Sequence, residues 1–391
     1  MLRHIAMMYL AAACIATPHG FCDAYGYFIS DGLHCWDMDK PDSKVVWSVP
    51  LQGPGCDLHV TPDRQHVVVI IDANKIEGLS PWDDVHKQRV GAYVLVDVCN
   101  PSAAKTFRIP AAKSFNAGPA ISADGRLLYV QGNPEDDSCQ DEYFRDHTFT
   151  SACFVIDIAT GALLNTFCTL GILIGPNDRV YYLQYYSNVC PAPLMSRTAL
   201  GQDERTELQI VPRFEGGGFG DVFGLHDQTW LVFTEGYATP AAAFTVYTLD
   251  APNVLTLKFK HAGEYRGVEG DCIRYRVGHN QGLVECRNPQ NDQVRLDEVA
   301  ANPPPDGPPL GQLVVSPDGK KHYYIDDHGL REPLDIVSYS LETKMWSEKY
   351  STPFNGGEPG GVLLNDPCPK ISSSPTPTAT EGKKIEETGN K

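Results

Sequence analysis

Three stretches of this chain carry side chains of the kinds that hold cations. The first contains Asp83, Asp84 and His86, the second Glu135, Asp136, Asp137, Asp141, Glu142, Asp146 and His147, and the third Asp326, Asp327 and His328. Carboxylate oxygens are hard donors that suit calcium, and an added imidazole nitrogen admits zinc or manganese. Asp136, Asp137, Asp141 and Asp146 are therefore candidate ligands for a divalent cation such as calcium. No segment has the spaced carboxylates of an EF-hand loop, and solvated acidic loops account for the same residues.

Aromatic residues accompany the acids: Trp82, Tyr143, Phe144, Phe149, Tyr185, Tyr186 and Tyr237. A pocket with aromatic walls and a carboxylate floor takes an amine or other organic cation by cation–π attraction. On that reading Trp82, Asp83, Asp84, His86, Tyr143, His147, Asp327 and His328 are the candidate ligand-binding set, and packing between sheets is the other use of the rings. Catalytic signatures are sparse. The chain has no Gly-x-Ser-x-Gly elbow, no His-Glu-x-x-His and no phosphate-cradling loop. The run Glu215-Gly216-Gly217-Gly218-Phe219-Gly220 lacks the βαβ setting of a dinucleotide fingerprint and reads as a link between sheets.

What positions these stretches is a recurring pair of strands around a tight turn. Thr61-Pro62-Asp63-Arg64 precedes Val67–Ile71, Ser122-Ala123-Asp124-Gly125 precedes Leu127–Gln131, and Ser316-Pro317-Asp318-Gly319 precedes His322–Ile325. Proline presets φ, aspartate caps the turn backbone and glycine accepts positive φ, so each tetrad closes a reverse turn. A second short-turned hairpin follows each, giving four strands per unit. Units near 24–50, 56–110, 117–168, 172–212, 220–260, 267–300 and 313–353 predict an all-β, seven-bladed β-propeller of four-stranded antiparallel blades. Gly361–Leu364 follows as a strand able to close the ring on the N-terminal sheet. In such a meander the second turn of every blade falls on one face of the disc. The long second loops Asn74–Arg89, Gly132–Thr150 and Asp326–Leu334 therefore gather there, which makes that face the expected site for a protein or small-molecule ligand.

Residues 1–20 read as a secretory signal peptide, with an apolar run from Ile5 to Ile15 that is too short to span a bilayer. Residues 21–370 form the propeller, and 371–391 a disordered tail rich in Ser, Thr and Pro. No later run is long enough for a membrane span. The 12 cysteines suit an oxidising compartment, hence a secreted or periplasmic protein. Cys153 and Cys168 lie symmetrically about the Thr160-Gly161 turn, and Cys272 and Cys286 about His279, so each pair is a candidate disulfide. Cys22 with Cys368 is a candidate latch for the ends of the ring. A formal charge of −17 disfavours nucleic acid and anionic lipid and favours a cationic ligand, a metal ion or a basic partner.

The tetrads around Asp63, Asp124 and Asp318, each leading into a strand, resemble the repeat of the YVTN, lactonase-like and quinoprotein amine dehydrogenase-like propellers. The likeness spans most of the chain and implies the seven-bladed scaffold. For function it implies either a lactonase-like hydrolase or a heavy, docking subunit of an amine dehydrogenase whose quinone sits on a separate small chain. The long insertion Asn74–Arg89 before Tyr93–Val98 is similar to one in those heavy subunits. The resemblance carries over no functional residue, so the leading expectation is a binding or scaffold propeller acting through the acidic long-loop face.

Overall fold

The computed structural model describes residues 24–365, apart from 30–31, 39–44, 54, 75–88, 116–119, 137–138, 140–150, 170, 184–192, 210–217, 226, 236–242, 253, 270–271, 278–282, 297–311, 317–318, 327–332 and 356–361. The described residues form seven antiparallel sheets, and the only helical pieces among them are single 3-10 turns at Pro101–Ala103 and Pro176–Asp178.

Blade one holds β1 (Ala24–Ile29), β2 (Gly32–Asp37) and β3 (Trp47–Pro50). Blade two follows as β4 (Gly55–Val60), β5 (His66–Asn74), β6 (Arg89–Asp97) and β7 (Lys105–Arg108). In blade three the innermost strand is split into β8 (Ala112–Phe115) and β9 (Ala120–Ile121). Both pair with β10 (Leu127–Pro134), beyond which lie β11 (Ala152–Asp157) and β12 (Leu163–Cys168). Blade four comprises β13 (Ile172–Ile174), β14 (Val180–Leu183), β15 (Leu194–Arg197) and β16 (Arg205–Leu208). Blade five comprises β17 (Gly218–Leu225), β18 (Gln228–Glu235), β19 (Ala243–Ala251) and β20 (Val254–Ala262). Blade six comprises β21 (Glu264–Glu269), β22 (Cys272–Val277), β23 (Leu283–Arg287) and β24 (Val294–Leu296). Blade seven comprises β25 (Gln312–Val315), β26 (Lys321–Asp326), β27 (Pro333–Ser340), β28 (Met345–Trp346) and β29 (Tyr350–Asn355). The last strand, β30 (Val362–Asn365), pairs with β1, Ala24 opposite Asn365, and so completes blade one and closes the ring. With β30 in place blade one has four strands like its neighbours.

The first strands of successive blades approach one another, β13 with β17, β17 with β21, and β30 with both β25 and β4, which places them around the axis. The second strands of blades two to five are hidden on both sides, which is why each holds an apolar run rather than an alternation. Val67, Val69 and Ile71 pack toward blade one, while Val68 and Ile70 pack toward blade three. Similar apolar clusters join blades three to four, four to five, five to six, and seven to one. Among the described residues none joins six to seven; the cluster around Tyr324 and Tyr339 stays within blade seven.

The tetrads close as their residues dictate. Thr61 Oγ1 donates to Asp63 Oδ1 at 2.5 Å and Asp63 accepts the Gln65 N–H at 3.0 Å. Ser122 Oγ donates to Asp124 at 2.6 Å, with Gly125 at φ +74°. Gly319 N–H donates to the Ser316 carbonyl at 2.8 Å with φ +69°.

Of the expected disulfides, Cys272–Cys286 is present, with Cα atoms 5.5 Å apart. Cys153–Cys168 is not. The hairpin is centred between Ala159 and Thr160, one residue earlier than expected, with Ile156 opposite Leu163, and even after an irregularity between Val155 and Ile156 Ala152 stands opposite Cys168 and Cys153 opposite Phe167. A shift of one residue turns the side chain to the other face of the sheet. Cys168 bonds Cys139 instead, with Cα atoms 5.3 Å apart, and Cys153 is a buried free thiol. Cys22 and Cys368 lie outside the described residues.

Candidate functional site

The long loops of blades two, three and seven all join a second strand to a third: β5 to β6, β10 to β11, and β26 to β27. They spring from the face of the disc on which the first strands begin. Trp82, Asp83, Asp84, His86, Asp137, Asp141, Tyr143, Asp146, His147, Asp327 and His328 lie outside the described residues. Asp136 is described and exposed, two residues past the end of β10.

The stems of these loops can be followed closely. In blade three the strand leading into the loop is tied inward. Glu135 N–H donates to the Ala111 carbonyl at 2.8 Å, and Asn133 Nδ2 donates to Ser114 Oγ at 2.9 Å. Across the hairpin, Gln131 Nε2 donates to Ser151 Oγ at 2.7 Å. Gly132 admits this close approach, because a Cβ there would meet the Ser114 carbonyl and the Phe115 ring. Cys139, three residues past Asp136, is then fastened outward to Cys168 at the end of the outermost strand. The acid-rich loop is thus pinned near its start along the radius of the blade, a placement that two-fold symmetry about a turn does not reveal. The usable signal was that Cys139 sits in the loop that this face presents.

Blade two contributes a buried carboxyl. Asp72 Oδ1 accepts the Phe115 N–H of blade three at 3.0 Å. Burial pushes Asp72 above the usual carboxylate range, against the pull of that N–H and of Arg89. Arg89 stands at the other stem of the same loop, and its Nε is buried without an acceptor. Around the axis, sequence reading passed over two further sets. Asp57 and His59 share one side of β4, where Asp57 accepts the Leu58 N–H at 2.8 Å. Burial holds His59 below the ordinary imidazole value, against the opposing charge of Asp57, so the ring is a neutral base at physiological pH. Asp221 on β17 is joined to Tyr265 on β21. Asp57 and Asp221 both follow an irregularity in the first strand of their blade, a feature that alternation alone does not disclose.

Among the described residues no three His, Cys, Asp or Glu side chains converge as a metal site, and no helix is long and apolar enough to cross a membrane.

No family model matches the chain, and no curated protein matches it. Solved structures do match in fold. The periplasmic gluconolactonase of Pseudomonas aeruginosa superposes with a TM-score of 0.51 and 13% identity, covering 87% of this chain and 98% of that one. A protein of unknown function from Desulfotomaculum acetoxidans gives 0.50 and 11%, covering 87% and 99%. A putative 6-phosphogluconolactonase from Bacteroides uniformis gives 0.50 and 10%, covering 88% and 100%. The chain therefore shares its fold with these proteins, at identities that speak to fold alone.

Proposed function

We propose that this chain is a secreted or periplasmic binding propeller whose acidic long-loop face takes a cationic ligand, either a divalent cation such as calcium or an organic amine. The observation that carries the reading is the Cys139–Cys168 bridge. It holds the start of the loop bearing Asp136, Asp137, Asp141 and Asp146 against the blade rim, and so reduces the ordering that ligand capture would otherwise require. Disulfides belong to an oxidising compartment, which supports the location. Residues 1–20 then act as a signal and 371–391 as a tail outside the ring.

Calorimetric titration of the whole protein with calcium chloride and with a primary amine tests the reading. Binding of either that is lost in Asp136→Asn/Asp137→Asn supports it, and an absence of heat with both rejects it.

A second reading, lactone hydrolysis, is favoured by the Asp57–His59 pair, a neutral imidazole beside a carboxylate on an axial strand that could activate water. Gluconolactone turnover that disappears in His59→Gln would replace the binding-only view. Turnover without dependence on His59 would remove this basis for it.

A further inference from the structure

Blades five and six meet through rings and cations as well as aliphatic chains. Lys258 Nζ lies 5.6 Å from the centre of the Trp230 ring, and the Arg287 guanidinium 4.2 Å from that of Phe259. The His261 ring, on the outermost strand of blade five, lies 4.3 Å from that of Tyr275 on the second strand of blade six. Phe244 stands opposite His261 in the β19–β20 register and packs on the same tyrosine at 5.2 Å.

The polar link across this seam is a hydrogen bond between Arg287 Nη1 and His261 Nδ1 at 3.1 Å. A guanidinium has only hydrogens to offer, so Nδ1 accepts with its lone pair and the ring hydrogen sits on Nε2. The bond therefore exists only while the imidazole is neutral. A proton taken from water at Nδ1 removes the acceptor and sets an imidazolium against a guanidinium.

The neighbouring groups hold Arg287 where it is. Asp292 accepts from its Nε at 2.6 Å, and Phe259 covers its face. Glu285, on the same side of β23, is occupied by the Tyr275 phenol at 2.6 Å. Elsewhere, alternation turns Lys260 to the other side of β20, the Tyr265 phenol of β21 is spent on Asp221, and β19 presents Phe244 and Val246. Among the described residues the ring thus has one cation in direct contact, while the two carboxylates beside it are already engaged. Burial and then the charge of Arg287 hold His261 below its ordinary 6.5, against the pull of Glu285 and Asp292. Gly263 alone separates β20 from β21, at φ +149° and so close to the Arg276 carbonyl that a Cβ would meet it at 2.8 Å. Movement of β20 is therefore passed to the axial strand of blade six, on the long-loop face.

We propose that the seam between blades five and six is an acid-sensitive joint: uptake of a proton by His261 breaks its bond to Arg287, sets two cations face to face and lets β20 part from β23. The stability that the neutral ring contributes is complete above 6.5 and is lost as pH falls below it. The joint is independent of the proposed cationic site, because it draws on neither the long loops nor their acids.

Hydrogen exchange of the whole protein at about pH 5.5 and about pH 7.5, corrected for the intrinsic pH dependence of amide exchange, tests it. Exchange in β20 and β23 should be about tenfold faster at the lower pH, the loss of one hydrogen bond to a charged group. In His261→Gln, whose side-chain carbonyl still accepts from Arg287 but does not titrate, that difference should vanish. The ring titration of His261, followed by NMR, should have its midpoint below 6.5 and move upward in Arg287→Gln, which removes the like charge. The NMR pair stands alone should His261→Gln fail to fold. The proposal is overturned if the midpoint lies at or above 6.5, if it does not move in Arg287→Gln, or if His261→Gln keeps the difference in exchange.

Discussion

The phenol of Tyr265, on the first strand of blade six, donates to Asp221 Oδ2, on the first strand of blade five, at 2.8 Å, while Asp221 Oδ1 accepts the Val222 N–H at 2.8 Å. Each oxygen of this carboxyl accepts one hydrogen bond, yet burial outweighs both bonds and holds its pKa above the ordinary 3.8. In the window from about 3.8 upward the folded state retains a proton that the unfolded chain has released. Stability therefore falls as pH rises through that window. Asp72 is raised by the same cause and adds to the slope. Urea unfolding between pH 4 and 7 should show a shallower loss of stability in Asp221→Asn than in the parent. An unchanged slope would mean that Asp221 titrates as it does in the unfolded chain.

The Cys139–Cys168 bridge closes a separation of 29 residues. Cys139→Ser should lower stability by about 2–4 kcal/mol under oxidising conditions. It should also loosen cation binding at the loop, while Cys153→Ser leaves the number of bridges unchanged. Burial raises the Cys153 thiol far above its ordinary value, so it should resist iodoacetamide until the chain unfolds. Urea unfolding reads the first, calorimetric titration with calcium the second, and peptide mapping after alkylation the bridges and the free thiol.

Glu207 in blade four is only 1% exposed and is met by Arg205 Nε at 2.6 Å, Arg179 Nε at 3.7 Å and the Ser196 hydroxyl. Without Glu207 the Ser196 hydroxyl loses a buried acceptor, while Arg179 keeps Asp203 and the half-exposed Arg205 turns to water. Glu207→Ala should cost about 1–3 kcal/mol in urea unfolding, beyond the 0.5 kcal/mol or so of a typical surface change.

Ring closure rests on β30. A chain ending at Gly361 would expose the edge of β1 and should aggregate or unfold without cooperativity, whereas one ending at Lys370 should melt as the parent does. Light scattering during thermal unfolding separates the two. The peptide map of the Lys370-ended chain also tests the expected Cys22–Cys368 bridge.

Turn chemistry and strand periodicity are local, and they sufficed to specify the ring. Thr61-Pro62-Asp63 and Ser122-Ala123-Asp124-Gly125 close by hydrogen bonds within five residues, and Val67–Ile71 announces a strand covered on both sides. The meander then assigned the long loops to one face without any distance being known. What depended on partners far along the chain could not be read this way. A turn centred one residue earlier than the sequence suggested was enough to leave Cys153 opposite Phe167, while Cys168 bonds Cys139. The joining of Asp221 to Tyr265 was decided only when adjacent blades packed. Which side of a sheet meets which neighbour is a property of the assembled ring, not of any single strand.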